Sequence, residues 1–166
     1  ISGMGDELKI TIEGPWYRTI IWEVPLMALI SELYFEETVG EPPNIDYLDI
    51  ANEKGKRLEE MGAFFADFGT RRRYSLHIHE QVVAELAKSK TFIGTSNVRL
   101  AMKYGVKPIG TEAHEWIMFH AAKYGYSMAN SIALGRWVDV YHGDLGIALT
   151  DTFTTDDFFK SFDMMY

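Results

Sequence analysis

Apolar positions along this chain follow two periods, and the alternation between them lays out the fold. Residues 8–12 place Leu8, Ile10 and Ile12 against Lys9 and Thr11, the period of a half-buried strand, and Gly14-Pro15 ends it. Over residues 17–35, Ile20, Ile21, Val24, Met27, Ala28, Ile30, Leu33 and Tyr34 are apolar around most of a helical circumference. That predicts a buried helix, with Pro25 starting a second helix or kinking the first. Pro42, Pro43, Asn44 and several acids make residues 39–52 a turn-rich connection. A shorter cycle then begins. Residues 61–66 read as a strand without polar alternation, as in a parallel strand covered on both faces. Residues 75–88 follow as an amphipathic helix with Ile78, Val82 and Leu86 at fourfold spacing and Ser75 as its N-cap. Strands at 91–93, 106–109 and 145–149 are interleaved with helices at 97–104, 115–124, 127–141 and 155–164. Strands alternating with helices predict an α/β fold with a parallel sheet, in which ligands bind at the carboxyl ends of the strands. Periodicity does not separate an open sheet from a closed barrel.

Composition narrows the class. The 166 residues suffice for one domain with a real core, and 47% apolar residues with 14% aromatics describe a globular body rather than a disordered one. There is no cysteine, which removes disulfides, thiolate metal sites and cysteine nucleophiles and fits a reducing cytoplasm. The longest apolar stretch, residues 20–30, is interrupted by Glu23 and Pro25 and is too short to span a bilayer; no signal peptide is recognisable. A net charge of -8 argues against nucleic acid as a partner. His77 and His79 do not share a helical face, so no metal site is expected of them.

Against the acidic background, Arg71-Arg72-Arg73 stands out. Cations ahead of a helix oppose its dipole, a conflict that an anionic ligand would remove, and phosphate or carboxylate suits the arginine fork. His114 sits where the strand at 106–109 hands over to a helix, a position whose unpaired amides favour an anion. An ordinary capping histidine would look the same. Thr95 and Thr111 are short hydroxyl donors at two strand ends, suited to a carboxylate, a phosphate or simply a turn.

Four words carry more information than any of these residues singly: Asp67-Phe68-Gly69-Thr70-Arg71-Arg72-Arg73-Tyr74-Ser75, Gly94-Thr95-Ser96-Asn97-Val98, Pro108-Ile109-Gly110-Thr111-Glu112-Ala113-His114-Glu115-Trp116 and Ala148-Leu149-Thr150-Asp151-Thr152-Phe153. In this order the chain resembles the nicotinate phosphoribosyltransferase family, from Gly14-Pro15-Trp16 to its last residue. The resemblance implies part of an irregular β/α barrel over residues 58–166, preceded by a supporting segment over residues 1–57 with a possible break near 39–52. Family members are longer, and the chain opens on Ile1 without a methionine, so an internal fragment is expected.

What the resemblance implies about residues is specific. Phe68 stacks on the pyridine ring, although core packing is an equal reading of the residue itself. Arg71 is the arginine that faces the ligand. Ser96 and Asn97 occupy positions where nicotinamide-using relatives carry an acid near the amide, and a neutral serine suits a carboxylate substrate. His114 is the residue that ATP transiently phosphorylates, and Asp151 fixes it or binds ribose or magnesium. Expected partners are nicotinate, phosphoribosyl pyrophosphate and ATP with Mg2+ as a substrate complex, with no prosthetic group, in a cytoplasmic homodimer. The alternatives are a nicotinamide phosphoribosyltransferase and a non-catalytic β/α domain that binds a phosphorylated metabolite. The four strand ends are expected to converge on one pocket.

Overall fold

The computed structural model describes residues 8–41, 46–143 and 147–162. By contacts the chain forms two compact units, residues 1–108 and 109–166. The boundary expected after residue 57 falls inside a helix, Tyr47–Glu60.

The first unit opens with two corrections. Residues 8–12 keep their alternation but form no strand, because a strand needs a ladder partner and none of the described residues supplies one; Leu8, Ile10 and Ile12 are exposed. Next come α1 (Trp16–Thr19), a 3-10 turn (Ile20–Trp22) and α2 (Glu23–Thr38), with Pro25 in the first turn of α2, where a missing N–H is harmless. This apolar segment was expected to be buried. In α2 only Ala28 is, and Trp16, Tyr17, Ile21, Trp22, Val24 and Leu29 face outward.

The expected connection over 39–52 is partly helix. Asp46 accepts a hydrogen bond from the Asp49 amide at 2.9 Å and starts α3 (Tyr47–Glu60); residues 42–45 lie outside those described. Gly55 is buried in α3, and a methyl group there would meet Ser89 Cβ at 3.6 Å, an ordinary contact, so alanine would fit as well.

Three short parallel strands follow, β1 (Phe65–Asp67), β2 (Phe92–Thr95) and β3 (Lys107–Pro108), in the order β1-β2-β3. Phe65 pairs with Phe92 and Asp67 with Thr95, across an irregularity between Phe65 and Ala66; Thr95 pairs in turn with Pro108. Two helices connect them. Ser75 is extended, its hydroxyl accepts from the Ile78 amide at 3.2 Å, and α4 (Leu76–Leu86) begins there as expected. Its deepest stripe is His79 and Val83, one position on from the Ile78 and Val82 of the sequence pattern, which are half-buried. Asn97 caps α5 (Val98–Tyr104) by accepting from the Leu100 amide at 3.1 Å, and Gly105 ends it at φ 64°, a left-handed conformation that L side chains resist. The core of this unit is Val83, Phe92 and Leu100, with Phe65, Leu86, Tyr104 and Val106 packed against it.

The second unit is a helix pair and a short helix. In α6 (His114–Tyr124) and α7 (Tyr126–Tyr141), Ile117 and Ala121 meet Ala129 and Ala133, whose small side chains permit close approach. The Trp116 indole donates to the Ala133 carbonyl at 3.2 Å across this seam. His120, read from sequence as structural, is fully buried, with Nδ1 2.7 Å from the Trp116 carbonyl and Nε2 3.3 Å from the Arg136 guanidinium. Thr154 caps α8 (Thr155–Ser161). Of the strand expected at 145–149, residues 145 and 146 lie outside the described residues and 147–149 form no strand. Ile147 takes part in one backbone bond, from the Glu112 amide at 3.4 Å, which is not a ladder. No helix among the described residues is long and apolar enough to cross a membrane.

Candidate active site

In the first unit, Asp67 organises the candidate residues. It closes β1, and its carboxylate is only 9% exposed. Oδ1 accepts from the Gly69 amide at 2.9 Å, an Asx turn that bends the chain directly after the strand. Oδ2 accepts from the Thr95 hydroxyl at 2.6 Å and lies 2.9 Å from His79 Nε2. Burial by itself pushes the Asp67 carboxyl up. The bonds from His79 and Thr95, the His79 charge and the Gly69 amide act the other way and prevail, holding the group below its ordinary value. Thr95 Oγ1 accepts from the Asn97 amide at 3.1 Å, and Asn97 Nδ2 donates to the Thr70 hydroxyl at 3.1 Å. The bonds therefore run from β1 to β2, on to the start of α5, and back to the loop.

This ring decides what each expected site residue can do. Thr95 is fully buried and its hydroxyl proton is given to Asp67, so it holds the loop and has no proton left for a ligand. Asn97 serves as helix cap and loop tie. Phe68, by contrast, is turned outward on the Asx turn and 53% exposed, which excludes core packing within this chain. Ser96 donates its amide to the Asp67 carbonyl at 2.8 Å, and its half-buried hydroxyl has no partner among the described residues.

The three arginines separate as their adjacency requires. They lie on a 3-10 turn (Thr70–Arg72) and its end, ahead of α4 as expected, and the anion found at the start of that helix is Glu32, whose Oε1 accepts from the Leu76 amide at 3.1 Å. Arg73 is the most enclosed and bonds Glu32 through Nε and Nη2 at 3.2 and 3.0 Å. Arg71 pairs with Glu23 while both side chains stay exposed, the kind of pair that contributes little and is readily exchanged for another anion. Arg72 is exposed and carries no ion pair among the described residues.

In the second unit, His114 is the first residue of α6. No side chain caps that helix, whereas Asp46, Ser75, Asn97 and Thr154 cap α3, α4, α5 and α8. The Trp116 amide donates to the Ala113 carbonyl at 3.0 Å, which leaves the amides of His114 and Glu115 as the ones that could meet an anion. The imidazole is half exposed; Nδ1 lies 3.1 Å from the Thr152 hydroxyl and Nε2 lies 3.8 Å from Asp151 Oδ1. Asp151 was expected to fix the ring. Thr152 does so instead, and Asp151 stands beyond hydrogen-bond distance from the opposite nitrogen. The Thr111 hydroxyl donates to the Glu112 carbonyl at 2.8 Å, a local turn bond.

Sequence reasoning gave no role to Asp67 or Glu112. An acid closing an apolar strand before an aromatic and a glycine is the available signal for the first. For Glu112 there was none. It is 1% exposed, and neither carboxylate oxygen has a partner of good hydrogen-bond geometry. Burial raises its pKa, only partly offset by the nearby Leu149 amide. A raised folded pKa means that stability falls as pH climbs from the ordinary 4.5 through the raised value. The Glu112→Gln variant of the full-length protein is accordingly expected to melt higher than the parent at pH 8 and to converge with it near pH 4. Parallel melting curves across that range would contradict the assignment.

The chain is of the α/β class, and its candidate residues lie at strand-to-helix turns. A family model described as the nicotinate phosphoribosyltransferase family matches residues 64–166. A nicotinate phosphoribosyltransferase of Chromohalobacter salexigens is 55% identical over all of this chain, which spans 43% of that relative; one of Saccharomyces cerevisiae is 42% identical over 94% of the chain. The crystal structure of nicotinate phosphoribosyltransferase from Porphyromonas gingivalis superposes with a TM-score of 0.84 at 45% identity, over 90% of this chain and 39% of that one. The chain belongs to the nicotinate phosphoribosyltransferase family. It spans about two fifths of the length of these relatives.

Proposed function

We propose that the full-length protein containing this chain joins nicotinate to 5-phosphoribosyl 1-pyrophosphate, giving nicotinate mononucleotide and pyrophosphate, and that ATP hydrolysis assists the reaction through a phosphohistidine at His114. The ring nitrogen of nicotinate attacks C1 of the ribose as the bond from C1 to the pyrophosphate oxygen breaks. The protein holds a flat aromatic acid and stabilises a departing polyanion. Phe68, aimed outward by the Asx turn, is the stacking surface for the base. Arg71 exchanges Glu23 for an anionic group of the substrates. Ser96 offers a neutral hydroxyl where an acid would repel the carboxylate. Thr111 lines the turn ahead of His114.

The observation that carries the ATP step is the histidine opening a helix without a side-chain cap, with Nδ1 3.1 Å from the Thr152 hydroxyl and Nε2 in no hydrogen bond among the described residues, 3.8 Å from Asp151. With Nδ1–H donating to the Thr152 hydroxyl, the Nε2 lone pair attacks the γ-phosphorus of ATP and ADP leaves with the bridging oxygen. The first-turn amides of α6 then offset the charge of the phosphoryl group. Asp151, 3.8 Å from Nε2, is the candidate ligand for the magnesium that would arrive with ATP. Family membership supports the substrate pair. A cytoplasmic homodimer, the remaining strands of a β/α barrel and a boundary near residue 57 belong to the same reading.

The test is turnover by the full-length protein with nicotinate or nicotinamide, followed by pyrophosphate release and product mass. Nicotinate is expected to be preferred and ATP to stimulate. Equal turnover of both bases would overturn the specificity.

A further inference from the structure

We propose that His79 is a positioning residue for the base-binding loop: through Asp67 it sets the orientation of Phe68 and of the Ser96 end of β2. The inference rests on the nicotinate reading above and assigns a role to a side chain of α4 that meets no substrate.

Three observations carry it. His79 Nε2 lies 2.9 Å from Asp67 Oδ2, and the two side chains are 5% and 9% exposed, so the bond is shielded from water. Asp67 touches both halves of the loop through one carboxylate, by the Gly69 amide on one side and the Thr95 hydroxyl on the other. The fit is close, because a methyl group at Gly69 would lie 2.9 Å from Asp67 Oδ1 and 3.2 Å from His79 Nε2. Gly69 cannot gain a side chain without displacing the pair, and that would move Phe68 with it.

The chemistry of His79 argues that the bond is kept for a purpose other than stability. Its Nδ1 is buried with no partner, a loss that a leucine in the same place would not suffer. What leucine lacks is the Nε2–H that pairs with the carboxylate. Without this donor, Asp67 is a buried acid held only by Thr95 and Gly69, and its ordinary response is to take a proton or rotate toward water. Either change loosens the Asx turn that presents Phe68. A small misplacement of a binding group weakens what it holds.

Substitutions at position 79 of the full-length protein separate this role from mere packing. Glutamine places an amide N–H as many bonds from Cα as Nε2–H, whereas asparagine is too short and leucine has no donor. His79→Leu and His79→Asn are expected to raise the nicotinate KM, and the dissociation constant by calorimetry, by roughly tenfold or more, with kcat and the phosphoribosyl pyrophosphate KM within about twofold. His79→Gln is expected to restore both nicotinate constants to within about twofold of the parent. The inference fails if folded His79→Leu and His79→Asn bind nicotinate like the parent, or if folded His79→Gln binds as poorly as they do. Should the parent itself fail to bind nicotinate, the functional reading falls and takes this inference with it.

Discussion

In the full-length protein, His114→Asn is expected to abolish nicotinate-dependent ATP hydrolysis and ATP stimulation, leaving a slow ATP-independent transfer. The asparagine amide is about the size of the nearer half of the imidazole and can keep a bond to Thr152, so the turn into α6 should survive. What disappears is the Nε2 lone pair, the proposed nucleophile toward ATP. In the proposed reaction the base attacks ribose without help from His114, so the transfer step should not vanish with it. His120→Asn is the control. That ring is fully buried against Trp116 with both nitrogens engaged, so its loss should lower the melting temperature and not uncouple ATP from transfer. Full ATP-stimulated synthesis by His114→Asn would remove the phosphohistidine from the account.

Ser96→Asp is expected to lower the affinity for nicotinate by roughly a hundredfold, because like charges brought together in a shielded site cost about 3 kcal/mol or more. The backbone should tolerate the change. The contact that holds Ser96 is its amide bond to the Asp67 carbonyl, which any residue keeps, and the hydroxyl it gives up has no partner among the described residues. Nicotinamide, which has no carboxylate, should be affected far less, so the ratio of KM values for the two bases is the clean readout. An equal loss for both would indicate damage to the loop and not charge repulsion.

Much of the local structure was legible in the sequence, for physical reasons that differ by element. The starts of α4 and α5 were readable because Ser75 and Asn97 perform their capping with their own side chains, a signal that needs no tertiary context. The helices α6 and α7 were readable to within a residue because a long apolar period leaves little choice. Residues 8–12 misled because alternation reports a capacity to pair, not the presence of a partner. The helix α3 was hidden by Pro42, Pro43 and Asn44 ahead of it and by Gly55 within it, two signals that normally break a helix. Of the candidate residues, Phe68, Ser96 and His114 stand at strand-to-helix turns, as the alternation of strands and helices implied. The Asp67 to His79 bond joins residues 12 positions apart on a strand and a helix, and it depends on how α4 returns to the end of β1, which no local pattern carries. The same limit made Asp151 the expected partner of His114, when the neighbouring Thr152 is the one within reach.

The most direct test of the phosphohistidine is to label the full-length protein with γ-phosphate-labelled ATP and map the modified peptide. The label should be acid-labile and base-stable, as a phosphoramidate hydrolyses once its nitrogen is protonated. It should be discharged by phosphoribosyl pyrophosphate with nicotinate and lie on His114. A stable label that maps to His77 or His79, or no label under conditions of ATP-stimulated turnover, would contradict the account.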